Sequence, residues 1–168
     1  MIMRQVTFNQ DPVTLLGTEV KVGDQAPNFT VLSNDLEEVS LDDFEGKVKL
    51  ISVVPSVDTG VCSQQTKRFN EEADQIGNTH VLTISMDLPF AQTRWCAANG
   101  VKNISLLSDH RDADFAEKYG VLIKELRLLA RSIFVVDANN VVQHVEYVSE
   151  VTNHPDYEAA LQAAKNCQ

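Results

Sequence analysis

The stretch VKLISVVPSVDTGVC, residues 48–62, decides how the rest of the chain is interpreted. Residues 48–54 are rich in β-branched side chains and stop at Pro55, which has no N–H to offer a neighbouring strand. From Cys62 to about Ile76 the apolar residues recur with the period of an α-helix. The stretch therefore predicts a buried strand that continues, through a short loop, into a helix whose first turn carries Cys62.

Strands and helices also alternate on both sides of this stretch. A second buried strand is predicted at Val81–Met86, and a second helix at Pro89–Asn99 is stopped by Gly100, a residue type that favours the end of a helix. Near the start, Gln5–Phe8 and Val13–Leu16 flank a turn-rich tetrapeptide and predict a β-hairpin. The other predicted elements are strands at Phe29–Leu32, Ile104–Leu107, Ser132–Val136 and Val141–Tyr147, a short helix at Asp112–Tyr119 and a last helix that Pro155 opens.

This order of elements indicates an α/β protein. Strands that alternate with helices form a mixed sheet that is covered on both faces. A β-α-β-α unit followed by an antiparallel strand pair and a helix is the layout of a thioredoxin-like domain. We therefore expect a single thioredoxin-like domain over residues 1–168, with a mixed central sheet flanked by helices and an N-terminal β-hairpin.

The composition excludes several classes of protein. The 168 residues are 43 % hydrophobic and include 14 Lys and Arg against 24 Asp and Glu, a formal net charge of −10. So acidic a chain repels phosphate backbones and anionic lipid headgroups, and we expect neither nucleic acid nor a membrane as partner. No apolar stretch approaches the roughly 18–20 residues that span a bilayer, and the first residues lack the pattern of a secretory signal. The expected location is therefore the cytoplasm.

The three cysteines, Cys62, Cys96 and Cys167, fit neither a disulfide scaffold nor a metal site. Their number is odd, no CxxC occurs, and the four histidines show no ligand spacing. The chain also lacks a glycine-rich phosphate loop, so we expect neither a metal nor a cofactor. Each cysteine must then be explained by packing or by reactivity.

Cys62 has two interpretations from its local features. The first turn of a helix presents free N–H groups and the positive end of the helix dipole, which favour a thiolate. Thr59, three residues earlier, could donate its hydroxyl to that thiolate or to a bound oxygen. Alternatively, Thr59 only caps the helix while Cys62 packs as a small hydrophobic residue. The local pattern does not decide between the two.

Cys96 is predicted on the polar side of the second helix. Ala91, Trp95 and Ala98 share the apolar face, and the Cys96 side chain projects about 100–140° away from that face, on the side of Gln92. A structural cysteine is usually buried, so an exposed position needs an explanation. Either the exposure is accidental, or the thiol is kept accessible for exchange with the thiol of the preceding helix.

Several motifs together resemble one family. Pro55-x-x-x-Thr59-x-x-Cys62 matches the active-site motif of peroxiredoxins. A second stretch resembles the segment around the second cysteine of bacterial thiol peroxidases. It consists of Asp87-Leu88-Pro89-Phe90-Ala91-Gln92 with Trp95-Cys96, followed by Leu107-Ser108-Asp109. Leu128-Leu129-Ala130-Arg131-Ser132 is similar to the strand that carries the family's arginine. With the hairpin, the resemblance covers nearly the whole chain and points to the atypical two-cysteine thiol peroxidases of the peroxiredoxin family.

The resemblance implies a role for each of these residues. Cys62 would attack a hydroperoxide to give a sulfenic acid, and Cys96 would condense with it to form an intramolecular Cys62–Cys96 disulfide. Thr59 and Arg131 would stabilise charge on the leaving oxygen, and Pro55 would shape the pocket and shield the thiolate from water. The expected substrates are hydrogen peroxide and alkyl or lipid hydroperoxides. The expected reductant is thioredoxin, and the expected assembly is a homodimer.

Such a disulfide requires a change of conformation. The two Cα atoms of a disulfide lie within about 7 Å of each other, which is not expected for Cys62 at a rigid helix start. We therefore expect the first turn after Cys62 and the segment around Cys96 to unwind locally when the bond forms.

Two alternatives stay open at this point. Cys167 departs from the family pattern: it is either an uninvolved residue of a fraying terminus or a residue that resolves Cys62 from a partner subunit. In addition, the pair of Cys62 and Cys96 would equally serve a peroxide sensor or redox relay, which passes its oxidation to another protein.

Overall fold

The computed structural model of the protein describes residues 4–72, 75–101 and 104–168. The strands in these ranges are β1 (Arg4–Phe8), β2 (Asp11–Leu16), β3 (Thr30–Leu32), β4 (Glu38–Ser40), β5 (Val48–Val53), β6 (Thr79–Ser85), β7 (Ile104–Ser108), β8 (Leu122–Ile123), β9 (Ser132–Val136) and β10 (Val142–Tyr147). The helices are α1 (Gly60–Glu72), α2 (Pro89–Asn99), α3 (Asp114–Tyr119) and α4 (Tyr157–Asn166), with a 3-10 helix at Leu41–Phe44. Across these described ranges, no helix combines the length and the apolar composition needed to cross a membrane.

Seven strands form one mixed sheet in the order β10-β9-β5-β6-β7-β3-β4. β5 pairs in parallel with β6, and β6 with β7, whereas β5 and β9 are antiparallel. β1, β2 and β8 form a second, antiparallel sheet that contains the N-terminal hairpin. The expected mixed α/β architecture with an N-terminal hairpin is therefore confirmed.

The element boundaries differ from the sequence prediction in a few places. The described part of helix α1 is Gly60–Glu72, and Ile76 does not belong to a helix; residues 73 and 74, which fall in the predicted helix, lie outside the described residues. The hairpin turn consists of Asn9 and Gln10, whose φ angles of 53° and 73° suit a tight turn between antiparallel strands. Strands β4 and β8, of three and two residues, are too short to show a periodicity and were not predicted.

Alternation along β5 distributes the core to both faces of the sheet. Val48 and Leu50 pack with residues of α1 and α4, whereas Ile51 and Val53 belong to the larger cluster that includes α3. All six residues of the strand are buried, Lys49 included. A strand covered on both faces reads as a continuous apolar run, which is why it was recognisable in the sequence.

The pairing of β5 brings three chain segments to one edge of the sheet. β5 and β6 end side by side, with Val53 beside Ile84, and the segments that follow them lead into α1 and α2. β9 runs antiparallel to β5 with Ser132 opposite Val53, so Arg131, which precedes β9, lies at the same edge. The carboxyl ends of parallel strands are where α/β proteins form their sites. The topology thus places Arg131 beside the loop between β5 and α1.

Candidate active site

Cys62 lies in the first turn of α1, as predicted, and is completely buried. Its side chain belongs to a small apolar cluster that also includes Trp95 of α2 and Leu106 of β7. Burial in such a cluster would by itself fit a cysteine that only packs. The sulfur also contacts a cationic group, however, which such a role does not require.

That group is the guanidinium of Arg131. Its Nη2 donates to Cys62 Sγ at 3.2 Å, its Nη1 donates to Gln65 Oε1 at 2.8 Å, and its Nε donates to the carbonyl oxygen of Val151 at 2.7 Å. Arg131 is 2 % exposed, and no carboxylate of the described ranges forms an ion pair with it. Because burying an unpaired charge is costly, the guanidinium depends on these three acceptors, of which the Cys62 sulfur is the one that can bear a negative charge.

Two polar residues that were not predicted from the sequence hold the guanidinium in place. Gln65 lies three residues after Cys62 on the buried face of α1, and Ser52 lies in β5; both are fully buried. The Gln65 amide accepts from Arg131 through Oε1 and donates through Nε2 to Ser52 Oγ at 2.7 Å. Because a guanidinium can only donate, the amide oxygen must face Arg131, which leaves the amide nitrogen to donate to the serine hydroxyl. The signal available in the sequence was a glutamine three positions after the cysteine in the same helix.

Thr59 and Pro55 lie in the loop before α1, at the approach to Cys62. Pro55 is buried, whereas Thr59 is exposed, and its Oγ1 donates a long hydrogen bond of 3.4 Å to the carbonyl oxygen of Ser56. The Thr59 carbonyl accepts from the N–H of Ser63 at 2.9 Å, so its backbone begins the helix. The threonine hydroxyl is thus weakly engaged within its own loop and available to a molecule that enters.

A cavity of about 350 Å³ opens in front of these residues. It is bounded by the loop before α1, by the turn of the N-terminal hairpin and by the segment 151–152, and most of its lining is apolar. Pro55, Thr59 and Arg131 all contribute to the lining. Cys62 does not line the cavity but is hydrogen-bonded to Arg131, which does. Three of the five residues singled out in the sequence therefore meet at one cavity, and Cys62 contacts one of them.

Cys96 lies in α2, but the predicted apolar face of that helix is wrong. Gln92 and Trp95 are buried, whereas Ala98 is exposed. Gln92 is buried because its amide Nε2 donates to a hydroxyl at the end of β6, at 3.2 Å, and to a carbonyl of β7, at 2.8 Å. A polar side chain whose hydrogen bonds are made inside the protein can be buried like an apolar side chain. The buried face of α2 is therefore rotated from the predicted face toward Cys96. The Cys96 thiol is half-buried rather than fully accessible.

The Cys96 side chain lines a second cavity, of about 370 Å³, together with Asn34. Burial raises the pKa of Cys96, and the side chain of Asn34 partly opposes that rise. Cys96 also packs against the apolar cluster that contains Cys62, and both are free thiols in this structure. The two cysteines therefore share one cluster without being bonded, and Cys96 is mainly a neutral thiol near pH 7.

Asp87 connects the segments that carry these two cysteines, a role that was not predicted although the residue lies in a quoted motif. Its carboxylate accepts from Ser56 Oγ at 2.7 Å and from the N–H of Val57 at 2.9 Å, both in the loop before α1. Ser85 Oγ donates to the same carboxylate at 2.7 Å, and α2 starts two residues after Asp87. The loop before α1 is thus tied to the start of α2.

Cys167 caps the C-terminal end of α4 and is half-buried. Its N–H donates to the carbonyl oxygen of Ala164, and its side chain packs against the cluster shared by α1 and α4. Burial raises the pKa of Cys167, and Asp137 adds to the rise. A cavity of about 400 Å³ adjoins it, but the described residues that line this cavity include no cationic side chain to stabilise a thiolate. The candidate site is therefore the one at Arg131.

The chain is similar to known proteins in sequence and in fold. The Redoxin family profile matches residues 21–161. A thiol peroxidase of Oceanobacillus iheyensis is 67 % identical over 95 % of this chain and 97 % of its own length, and a thiol peroxidase of Bacillus subtilis is 64 % identical over 97 % and 98 %. Among solved structures, a peroxiredoxin-like protein from Aquifex aeolicus has a TM-score of 0.92 at 40 % identity and covers 98 % of both chains. A thiol peroxidase from Chromobacterium violaceum has a TM-score of 0.88 at 26 % identity, with 96 % and 95 % coverage.

The chain therefore belongs to the Redoxin family and has the thioredoxin-like fold of the peroxiredoxins. The resemblance to bacterial thiol peroxidases that the motifs indicated is confirmed by relatives of such high identity over nearly the full length. The protein is accordingly an oxidoreductase with thiol peroxidase activity, an enzyme that reduces a peroxide at the expense of a thiol.

Proposed function

We propose that Cys62 attacks the peroxide, that Cys96 resolves the product, and that thioredoxin completes the turnover. The observation that carries this proposal is the buried hydrogen bond of 3.2 Å from Arg131 to Cys62 Sγ. A guanidinium keeps its charge at any working pH, so it favours the thiolate, which is the nucleophilic form of the sulfur. The same group offers donors to an oxygen atom that arrives next to the sulfur.

In the first step, the Cys62 thiolate attacks the terminal oxygen of a hydroperoxide ROOH. A sulfur–oxygen bond forms, the O–O bond breaks, and the electron pair leaves on RO⁻, which takes up a proton to become an alcohol, or water when R is hydrogen. Cys62 is left as a sulfenic acid. Because a more stable thiolate is also a weaker nucleophile, charge on the leaving oxygen must be stabilised as well.

Arg131, Thr59 and the first N–H groups of α1 are the donors available to that leaving oxygen. Arg131 and Thr59 both line the cavity, and the weak bond of the Thr59 hydroxyl within its own loop leaves it free to turn to a substrate. Pro55 has a different role in this proposal. Its buried ring forms part of the cavity wall beside the thiolate and, without an N–H, gives water no donor to bind there.

The cavity supports hydrogen peroxide and organic hydroperoxides, alkyl or lipid, as substrates. Phe8, Val61 and Val151 contribute to its lining, and its volume of about 350 Å³ accommodates an organic group larger than a methyl. An apolar group placed there leaves the O–O group close to Arg131. Hydrogen peroxide, which has no organic group, uses only the polar end of the same cavity.

In the second step, the sulfur of Cys96 attacks the sulfur of the sulfenic acid. An S–S bond forms, the S–O bond breaks, and the hydroxide leaves as water with the proton of the Cys96 thiol. The location of Cys96 at the cluster that buries Cys62 supports this pairing. Both residues are held in helices, so the first turn of α1 and the segment around Cys96 must unwind before the Cα atoms approach within about 7 Å.

The remaining partners follow from the same proposal. Thioredoxin would reduce the Cys62–Cys96 disulfide by thiol exchange, and a chain with only three cysteines fits a cytoplasmic, reducing location. We also propose a homodimer. Leu88 and Phe90, at the start of α2, are 52 % and 67 % exposed and form an apolar surface suited to contact with a second subunit.

A coupled assay with thioredoxin, its reductase and NADPH tests the proposal. C62S should abolish peroxide-dependent NADPH oxidation, C96S should stop after one equivalent, and C167S should retain wild-type turnover as the matched control. Continued turnover of C96S with loss in C167S would instead assign resolution to Cys167 of a partner. A wild-type protein that reacts only once with thioredoxin present would favour the peroxide sensor.

A further inference from the structure

The turn of the N-terminal hairpin forms one wall of the substrate cavity. Phe8 and Asn9 line the cavity from the turn, and Val151 and Thr152 line it from the segment between β10 and α4. The hairpin belongs to the small sheet and not to the central one. The position of this wall relative to the rest of the cavity therefore depends on the contacts that join the turn to residues 149–152.

Backbone hydrogen bonds make the first of these contacts. The N–H of Thr7 donates to the carbonyl oxygen of Ser149, and the N–H of Val151 donates to the carbonyl oxygen of Thr7, each at 2.8 Å. The carbonyl of Val151 in turn accepts from Arg131 Nε at 2.7 Å. The end of β1 is thus fixed, through main-chain groups alone, to the segment that anchors Arg131.

The carboxylate of Glu150 makes the second contact. Its Oε1 accepts from the N–H of Gln10 at 2.7 Å and from Thr7 Oγ1 at 3.0 Å, both in the hairpin. Its Oε2 accepts from the N–H and the Oγ1 of Thr152, at 2.8 and 2.6 Å, in the cavity wall. One oxygen holds the hairpin and the other holds the adjoining wall. Hydrogen bonds, first those from Thr152, lower the pKa of Glu150 to about 2, so the carboxylate is ionised near pH 7.

We infer that Glu150 is a positioning residue that holds the hairpin turn against the cavity and thereby sets the preference for organic hydroperoxides over hydrogen peroxide. The inference rests on the proposed function, in which ROOH enters this cavity and reacts at Cys62. An organic group is in contact with the wall that Phe8 helps to form. Hydrogen peroxide depends only on the groups around Arg131.

The groups around Arg131 are held by hydrogen bonds that do not involve the Glu150 side chain. Arg131 retains its bonds to Cys62, Gln65 and Val151, and the main-chain bonds between Val151 and Thr7 do not involve the Glu150 side chain. Loss of the carboxylate therefore loosens the wall that contacts the organic group while the reaction of the O–O bond is preserved.

The test compares two second-order rate constants for oxidation of Cys62 in the reduced enzyme, one with cumene hydroperoxide and one with hydrogen peroxide. In E150A the ratio of the first constant to the second should fall at least about tenfold, which is about 1.4 kcal/mol of transition-state binding. T7V, which removes one donor to the carboxylate and suits a strand, should lower the ratio less. E125A is the matched control, because Glu125 also accepts from a hairpin N–H, that of Thr14 at 2.9 Å, but does not line the cavity. It should keep the wild-type ratio.

An unchanged ratio of rate constants in E150A and T7V would overturn the inference. An equal decrease of both rate constants would also overturn it, because it would mean that the substitution acts on Arg131 and not on the cavity wall. If E150A does not fold, the ratios of E150Q and T7V decide in the same way. A wild-type enzyme whose Cys62 reacts with neither peroxide would refute the proposed function itself, so the two failures are distinguishable.

Discussion

The buried guanidinium of Arg131 distinguishes the surroundings of Cys62 from those of an ordinary core cysteine. Two of its three acceptors, the Gln65 amide and the Val151 carbonyl, are neutral and contribute dipoles only. The sulfur is the one acceptor that can carry a negative charge. A residue that looks like a core cysteine by its burial therefore has a cationic hydrogen-bond donor at its sulfur.

Removing the guanidinium should slow the reaction of Cys62 with peroxide. R131M keeps a similar volume but no donor, and we expect its second-order rate constant with hydrogen peroxide to fall by about 10²–10³, the usual effect of losing one donor to a developing oxyanion. R131K keeps the charge but not the fork of donors, and should lie between R131M and wild type. R94M is the control, because Arg94 is 74 % exposed and makes only a 3.7 Å ion pair with Asp58. An R131M enzyme as fast as wild type would remove Arg131 from the mechanism.

The residues of the site differ in how far the sequence predicts them. Cys62 was placed correctly because a β-branched run, Pro55 and a helical period surround it, and Arg131 was singled out by its resemblance to a family motif. The roles of Gln65 and Asp87 were not predicted. A buried polar side chain whose partners lie far along the chain has the same sequence pattern as a polar side chain on the surface. The prediction of the buried face of α2 was wrong for the same reason, because Gln92 was counted as polar and exposed.

At the scale of elements, each of the two cysteines is held by an intact helix turn. The carbonyl oxygen of Cys62 accepts from Thr66 Oγ1 at 2.8 Å. The carbonyl oxygen of Cys96 accepts from the N–H groups of Gly100 and Val101, at 2.9 and 3.4 Å, at the end of α2. We expect the proposed disulfide between these residues to break some of these bonds, which would couple oxidation to local unfolding in both helices.

Hydrogen exchange should detect this coupling. Amides in the first turns of α1 and in the last turn of α2, Gly100 included, should exchange faster in the oxidised protein than in the reduced one, whereas the strands of the central sheet should not change. C96S treated with one equivalent of peroxide is the control, because its Cys62 is oxidised but has no resolving partner, and it should keep the protection of the reduced state. Equal protection in reduced and oxidised wild type would contradict the proposed rearrangement.

Elements were predicted best where they are long and bounded. Helix α2 and strand β9 have the predicted limits, because Pro89 and Gly100 delimit the first and a run of buried β-branched and aromatic residues marks the second. Strands β4 and β8 contribute too few residues to form a pattern of their own. Strand β8 also depends on a partner far along the chain, since Ile123 pairs with Leu15.

For the whole molecule, a buried carboxyl group outside the site links stability to pH. Asp109 follows β7, is 2 % exposed, and accepts from the N–H groups of Phe115 and Ala116 at 3.1 and 2.9 Å. Burial outweighs these hydrogen bonds and raises the pKa of Asp109 to about 6 from 3.8. The folded protein therefore binds a proton that the unfolded chain releases near pH 4.

The free energy of unfolding should accordingly contain a contribution from Asp109 that is complete below pH 4 and is lost as the pH rises through about 6. A difference of about two pKa units corresponds to a loss on the order of 2–3 kcal/mol. D109N does not titrate, and urea unfolding between pH 4 and 7 should show a smaller decline with pH for this variant than for wild type. Parallel pH profiles for the two proteins would show that Asp109 is ionised in the folded state throughout this range.

The central claim is that one chain carries both cysteines of the catalytic cycle, and disulfide mapping tests it most directly. Reduced protein is treated with one equivalent of hydrogen peroxide, free thiols are blocked, and the products are separated on a non-reducing gel and digested for mass spectrometry. We predict a monomer-sized band with a Cys62–Cys96 disulfide and a free Cys167. A dimer-sized band with a Cys62–Cys167 disulfide would contradict the account and transfer the resolving role to the partner subunit.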